Sequence, residues 1–191
     1  MLIFMVILAA LLLIIIGIVL WTMKLYNSFV QLKVRAENAW SDIDVQLKRR
    51  YDIIPNLVAT VEGYTKHERN TLQAVIEARA KAMGAINPQE KGQAENFLSN
   101  TLKSLFALAE NYPQLKANEN FLKLQATLGE IEEVIQSARR YYNAVVRDFN
   151  TKLEIFPNNI FAGMFNFVKR DFFQLESPQT ERKSPEVKFN T

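Results

Sequence analysis

The chain has 191 residues, with 23 Lys and Arg against 20 Asp and Glu, one His and no Cys. The net charge of +3 is small and dispersed, which argues against the concentrated basic face of a nucleic-acid binder, and the missing cysteines exclude disulfides, thiolate metal sites and thioether lipid attachment. A mean hydropathy of -0.07 averages a greasy beginning with a polar remainder that is long enough for one domain with its own core.

Met1 to Met23 reads MLIFMVILAALLLIIIGIVLWTM and carries no charged side chain; the first charge is Lys24. At 1.5 Å rise per helical residue, about 20 apolar residues cross a hydrocarbon core of roughly 30 Å. Residues 1–23 are therefore expected to form an uncleaved transmembrane anchor. The run is too long for the apolar core of a secretory signal, and Leu20-Trp21-Thr22-Met23-Lys24 offers no small-x-small cleavage site. Lys24, Lys33 and Arg35 follow the run and no basic side chain precedes it. The positive-inside rule then predicts a single pass through the cell membrane, with the amino terminus outside and the body cytoplasmic. Trp21 and Tyr26 flank the exit point and are candidate membrane-interface residues.

A helical body is expected over 24–156. Phe29, Leu32, Ala36, Trp40, Ile43, Leu47, Tyr51 and Ile54 recur by threes and fours, the stripe of an amphipathic helix over about 24–53. Pro55 lacks an N–H and clashes one turn back, so the helix is expected to break there. The stripe resumes in phase over 56–83 and stops at Gly84, Asn87 and Pro88. Phe97, Leu98, Leu102, Leu105 and Phe106 mark a shorter helix over 93–110. Phe121, Leu124, Leu128, Ile131, Ile135, Ala138, Tyr142, Val145 and Phe149 mark a long heptad-patterned one over 115–155. No run alternates with period two for long enough to be a strand, so the body is all-α. The residues alone fit either an up-down antiparallel four-helix bundle that reverses at Pro55, or one long kinked helix packed by others.

Six of the 13 Phe fall between Phe156 and Phe173. In the segment 157–175 a helix would gather Ile160, Phe161, Met164, Phe165, Val168 and Phe172 on one face, as a short C-terminal amphipathic helix. Phe161, Phe165, Phe172 and Phe173 join Trp21 and Tyr26 as candidate interface residues. Docking on the bundle and insertion into lipid or a partner groove are both open. The tail over 176–191 is expected to be flexible, with Glu186-Val187-Lys188-Phe189 a possible added strand on a partner.

Catalytic chemistry finds little support. His67 is the single histidine, so neither a di-metal Glu-x-x-His pair nor a zinc site can be assembled from histidines. There is no Gly-x-Ser-x-Gly elbow and no phosphate-cradling glycine loop. Lys48-Arg49-Arg50, surrounded by Asp42, Asp44 and Asp52, reads as a solvated helix surface, and so does the acidic group Glu130, Glu132 and Glu133. Asn38, Asn118, Asn120 and Tyr141-Tyr142-Asn143 are expected to cap helix ends or to satisfy one another across helices. No catalytic, metal-binding or cofactor-binding residue and no cofactor is expected, and the chain is not expected to be an enzyme.

Several stretches resemble the LemA family: Ala36-Glu37-Asn38-Ala39-Trp40-Ser41-Asp42-Ile43-Asp44, Tyr51-Asp52-Ile53-Ile54-Pro55-Asn56-Leu57-Val58, Tyr64-Thr65-Lys66-His67-Glu68, Tyr112-Pro113-Gln114-Leu115-Lys116-Ala117-Asn118, Ala138-Arg139-Arg140-Tyr141-Tyr142-Asn143, Phe149-Asn150-Thr151-Lys152 and Phe156-Pro157-Asn158-Asn159. The resemblance implies a bacterial-type protein with one amino-terminal membrane helix, an up-down four-helix body reversing near Pro55, and no established reaction. The expected function is a membrane-anchored scaffold that self-associates or holds other membrane proteins. The alternative is lipid binding or membrane shaping through 157–173. Membrane lipid is an expected partner; nucleic acid and a small-molecule substrate are not.

Overall fold

The computed structural model describes residues 1–65 and 68–173. His67 and the tail over 176–191 lie outside the described residues. Among the described residues six helices follow in order: α1 Leu2–Glu62, α2 Arg69–Gly84, α3 Pro88–Ala109, α4 Pro113–Lys116, α5 Glu119–Glu154 and α6 Asn158–Met164. No strand occurs among the described residues. The chain divides into two compact units, and α1 and α5 contribute to both. Met1–Ser41 with Tyr141–Arg170 form one, and Asp42–Arg140 with the segment from Asp171 form the other.

In the first unit, α1 and α5 run antiparallel. Trp40 meets Tyr142 with ring centroids 5.3 Å apart, while Leu25 and Phe29 share a core with Phe149 and Leu153. Leu25, Phe29, Ala36 and Ala39 are buried on α1, and Tyr142, Val145, Val146, Phe149 and Leu153 on α5. These are positions that the three-four spacing marks as one face. Every residue of α1 before Trp21 is exposed. This is the one helix of the described residues long and apolar enough to cross a membrane.

The second unit buries Ile43, Leu47, Ile54 and Leu57 of α1 with Val75 and Ala78 of α2, Leu98 and Leu105 of α3, and Ile131 and Ile135 of α5. Two of its helix starts, those of α3 and α5, follow capping rules. The Asn87 side chain accepts from the Glu90 N–H at 2.8 Å, with Pro88 in the first turn, and Asn118 accepts from the Phe121 N–H at 2.9 Å to open α5. Asn118 is thus a cap, as its type suggests, while Asn38 and Asn120 are exposed.

The expected break at Pro55 does not occur: α1 passes through it and ends at Glu62. The helices expected over 24–53 and 56–83 are corrected to α1, which ends at Glu62, and α2, which begins at Arg69. Ile54, Leu57, Val58 and Val61 are all buried. At about 1.5–3 kcal/mol for each large side chain removed from water, they outweigh the roughly 3 kcal/mol that an interior proline costs a helix. The carbonyl that Pro55 leaves without its usual donor, that of Tyr51, accepts instead from Arg79 Nε of α2 at 2.8 Å. The helix expected over 93–110 begins earlier, at Pro88. The 115–155 helix divides into the single turn α4 and the long α5.

The C-terminal amphipathic helix is also shorter than its pattern. It ends at Met164 because Asn166 adopts a left-handed conformation, φ 56°, which Asn tolerates better than most side chains. The Phe167 N–H reaches Ala162 O at 2.9 Å and the Asn166 N–H reaches Gly163 O at 3.3 Å, the paired bonds of a Schellman stop.

Replacing Arg79 with Ala is expected to destabilise the chain by about 1–3 kcal/mol, the cost of an unpaired buried polar group. The same change should cost far less in a Pro55→Ala background, where a restored N–H can bond the Tyr51 carbonyl. A double-mutant cycle on thermal unfolding in detergent micelles checks this. Equal costs in both backgrounds would contradict the pairing.

Candidate functional site

Where α1 leaves its apolar run, aromatic side chains converge within the first unit. Trp21 meets Phe161 edge-on at 5.2 Å between centroids, and Tyr26 meets Phe165 at 5.0 Å. Four of the six candidate interface residues are therefore in direct pairwise contact. Phe165 also closes a groove of about 380 Å³ against Ile18, Val19, Thr22, Met23 and Tyr26. Phe167 ties the cluster to the core, with centroids 5.0 Å from Phe29, 5.8 Å from Tyr26 and 6.5 Å from Phe149. A helical wheel continued past Met164 puts Phe167 on the wrong face; the Asn166 turn brings it inward. The signal that could have found it is Asn166, a residue type that tolerates the left-handed conformation.

Phe172 and Phe173 belong to the second unit. Phe172 is partly exposed at 36%, but Phe173 is 1% exposed and cannot meet lipid. Its ring lies 4.5 Å from the Arg139 guanidinium carbon, a cation–π contact that shields an otherwise costly buried charge. Its assignment as an interface residue is corrected accordingly.

The second unit holds a buried polar cluster that the sequence pattern hides. Arg50 is 4% exposed, which overturns its reading as a solvated surface group; Lys48 and Arg49 do face solvent. Arg50 Nη1 pairs with Glu95 Oε2 at 3.2 Å and Glu132 Oε2 at 3.1 Å, and Nη2 donates to Ser99 Oγ at 2.8 Å. Glu132 thus leaves the solvated acidic face to become a partner, while Glu130 and Glu133 remain exposed. The Tyr51 hydroxyl donates to Glu95 Oε1. Lys91 Nζ donates to the Ala82 carbonyl at 3.1 Å and lies 5.9 Å from the Tyr51 ring centre.

Burial pushes the Glu95 carboxyl above the usual carboxylate range. The Tyr51 hydroxyl, Arg50 and Lys91 partly offset this, and Glu132 adds to it. Burial, followed by the charge of Glu95, pushes the Tyr51 phenol far upward, so it stays a proton donor. Burial lowers Arg139, with Glu132 and Glu95 opposing. Each buried charge faces a counter-charge, a hydrogen-bond partner or an aromatic ring, which is what makes such a cluster tolerable in a helical core. Among the described residues no group of three or more acidic or histidine side chains is placed to hold a metal ion.

An all-helical chain with one membrane-length apolar helix and an ion-paired helical body is the class that fold and site define. The chain belongs to the LemA family, whose family model matches residues 39–189. It is similar to Protein LemA of Metamycoplasma hominis, 26% identical over 152 residues that cover 78% of this chain and 68% of that protein. It is also similar to Magnetosome protein MamQ 2 of Paramagnetospirillum magneticum, 22% identical over 175 residues, and to Magnetosome protein MamQ of Magnetospirillum gryphiswaldense, 21% identical over 174. Each of these matches covers 78% of this chain and 64% of the relative, so the chain spans just under two thirds of the magnetosome proteins' length.

Because the folded carboxyl of Glu95 ionises above the unfolded one, the folded chain holds a proton that the unfolded chain has lost in the interval between them. Stability should then fall as pH rises from about 4.3 through the raised value. In Glu95→Gln this decline should vanish. Thermal unfolding against pH checks both profiles, and an equal decline in the variant would contradict the assignment.

Proposed function

We propose that this LemA family member is a membrane-anchored helical scaffold, fixed by residues 1–23 and organising protein partners, including copies of itself, through its body. The carrying observation is that the uncharged run of α1, exposed throughout before Trp21, continues without a break into the buried stripe at Leu25 and Phe29. An exposed apolar helix of this length calls for lipid, and its helical continuation keeps the buried stripe of the first unit next to that lipid. Lys24, Lys33 and Arg35 support a body on the cytoplasmic side and an amino terminus outside.

The second unit reads as an up-down four-helix body. Supporting pairings are Arg79 with Tyr51 between α2 and α1, Lys91 with Ala82 between α3 and α2, Phe106 with Phe121 between α3 and α5, and Arg50 with Glu132 between α1 and α5. Exposed apolar side chains on it, Ile76 and Phe97 among them, offer contact points for other proteins. Arg50, Glu95 and Tyr51 of the buried cluster are held by one another and by Ser99 and Glu132, which supports a structural reading, and no reaction is assigned to the cluster. Relatives named as magnetosome proteins suit a part in organising an assembly. A second reading, lipid binding through 157–173, draws on the contact between Trp21 and Phe161.

Full-length protein should stay in the membrane pellet under alkaline carbonate, and a chain lacking residues 1–23 should be released. A photo-crosslinker at Ile76 should give discrete adducts in native membranes, including one with a second copy. Release of the full chain, or a strictly monomeric protein without adducts, would sink the proposal.

A further inference from the structure

We propose that the loop over 155–168 is a second membrane-contact element, which enters the leaflet where α1 exits and meets phospholipid at the boundary of headgroups and acyl chains. The proposal deepens the lipid-contact reading and rests on residues 1–23 being the membrane span.

No charged side chain occurs between Glu154 and Lys169. Those two residues form an ion pair that closes the loop at its base. Beside it, the Asn150 side chain both accepts from the Arg170 N–H and donates to the Arg170 carbonyl, each at 2.9 Å, and the Arg170 guanidinium pairs with Glu37. Every charge of this region therefore sits at the base, and the body of the loop has none.

The inner side of the loop is used for docking. Phe161, Ala162 and Phe167 pack on Leu25, Phe29, Phe149 and Leu153. Its outer side is uncharged and bares large apolar side chains beside Asn159 and Asn166: Phe156 is 75% exposed, Met164 68% and Ile160 53%. A water-facing loop of 14 uncharged residues presenting such side chains would be an aggregation hazard; a lipid-facing one is not.

Depth identifies the occupant. Phe161 contacts Trp21, and Phe165 shares its groove with Ile18. Ile18 stands six residues before Lys24, about 9 Å back along the helix at 1.5 Å per residue. That falls within the roughly 5–10 Å to which interfacial amphipathic helices bury their apolar face. A water-soluble partner covering Phe165 would have to enter the layer occupied by the span, so lipid is the covering that the geometry favours.

The chain has no cysteine, so single-cysteine variants carry one label each. Ile160→Cys, Met164→Cys, Ala10→Cys and Gln125→Cys, all at exposed positions, are labelled with an environment-sensitive fluorophore. The full-length proteins are reconstituted in phosphatidylcholine–phosphatidylglycerol vesicles containing lipids with a quencher near the glycerol or the methyl end of the acyl chain. Labels at 160 and 164 should be blue-shifted and lose more emission to the glycerol-end quencher. The label at 10 should lose more to the methyl-end quencher, and that at 125 should lose to neither. Quenching at 10 with 160 and 164 behaving like 125 overturns the loop proposal and leaves the span standing. An unquenched label at 10 overturns the span and the loop proposal with it.

Discussion

A helix in hydrocarbon must satisfy its own backbone, and a helix in a protein core must keep its apolar stripe in phase; α1 meets both demands with one uninterrupted register. Its interior contains a single proline, Pro55, and the carbonyl left short of a donor there is taken up by Arg79. Were the chain to reverse at Pro55, Leu57, Val58 and Val61 would lose the phase that buries them with Ile54. The register of α1 is therefore the constraint on which the placement of the other side chains depends.

Tyr51 shows how the second unit is locked to that register. Its carbonyl is held by Arg79 of α2, and its hydroxyl donates to Glu95 of α3. Arg50, one residue earlier, takes Glu95, Ser99 and Glu132. Against an apolar replacement, a buried ion pair adds little net stability, because desolvation offsets most of its attraction. A slip by one turn is another matter, since it would leave Arg50 buried without a carboxylate. The cluster thus selects one alignment of helices whose small and aliphatic faces could otherwise slide.

The long apolar helix and the helical character of the body were legible because they rest on local quantities: absence of charge, spacing of apolar residues, and a capping type such as Asn118. Three of the misreadings, at Pro55, Arg50 and Phe173, concern tertiary compensation. Pro55 is a helix breaker until a guanidinium from another helix answers its carbonyl. Arg50 looks like its exposed neighbours Lys48 and Arg49, since a charged triplet does not reveal which member turns inward. Phe173 reads as a surface aromatic until Arg139 covers it. The end of α6 hinges on one backbone angle at Asn166, which moves Phe167 into the core and leaves Met164 and Val168 outside. Spacing along the chain does not show that Trp21 meets Phe161 and Tyr26 meets Phe165, since the residues of each pair are far apart in sequence.

The central claim is that the membrane span and the first buried stripe are one rigid helix. Amide hydrogen exchange on the full chain in lipid nanodiscs, read residue by residue from Trp21 to Val30, tests it most directly. Protection that continues without a dip from the lipid-embedded residues through Thr22 to Ser28 into the stripe at Phe29 is the predicted result. Fast exchange confined to Thr22–Ser28 would reveal a hinge between anchor and body and would contradict the account.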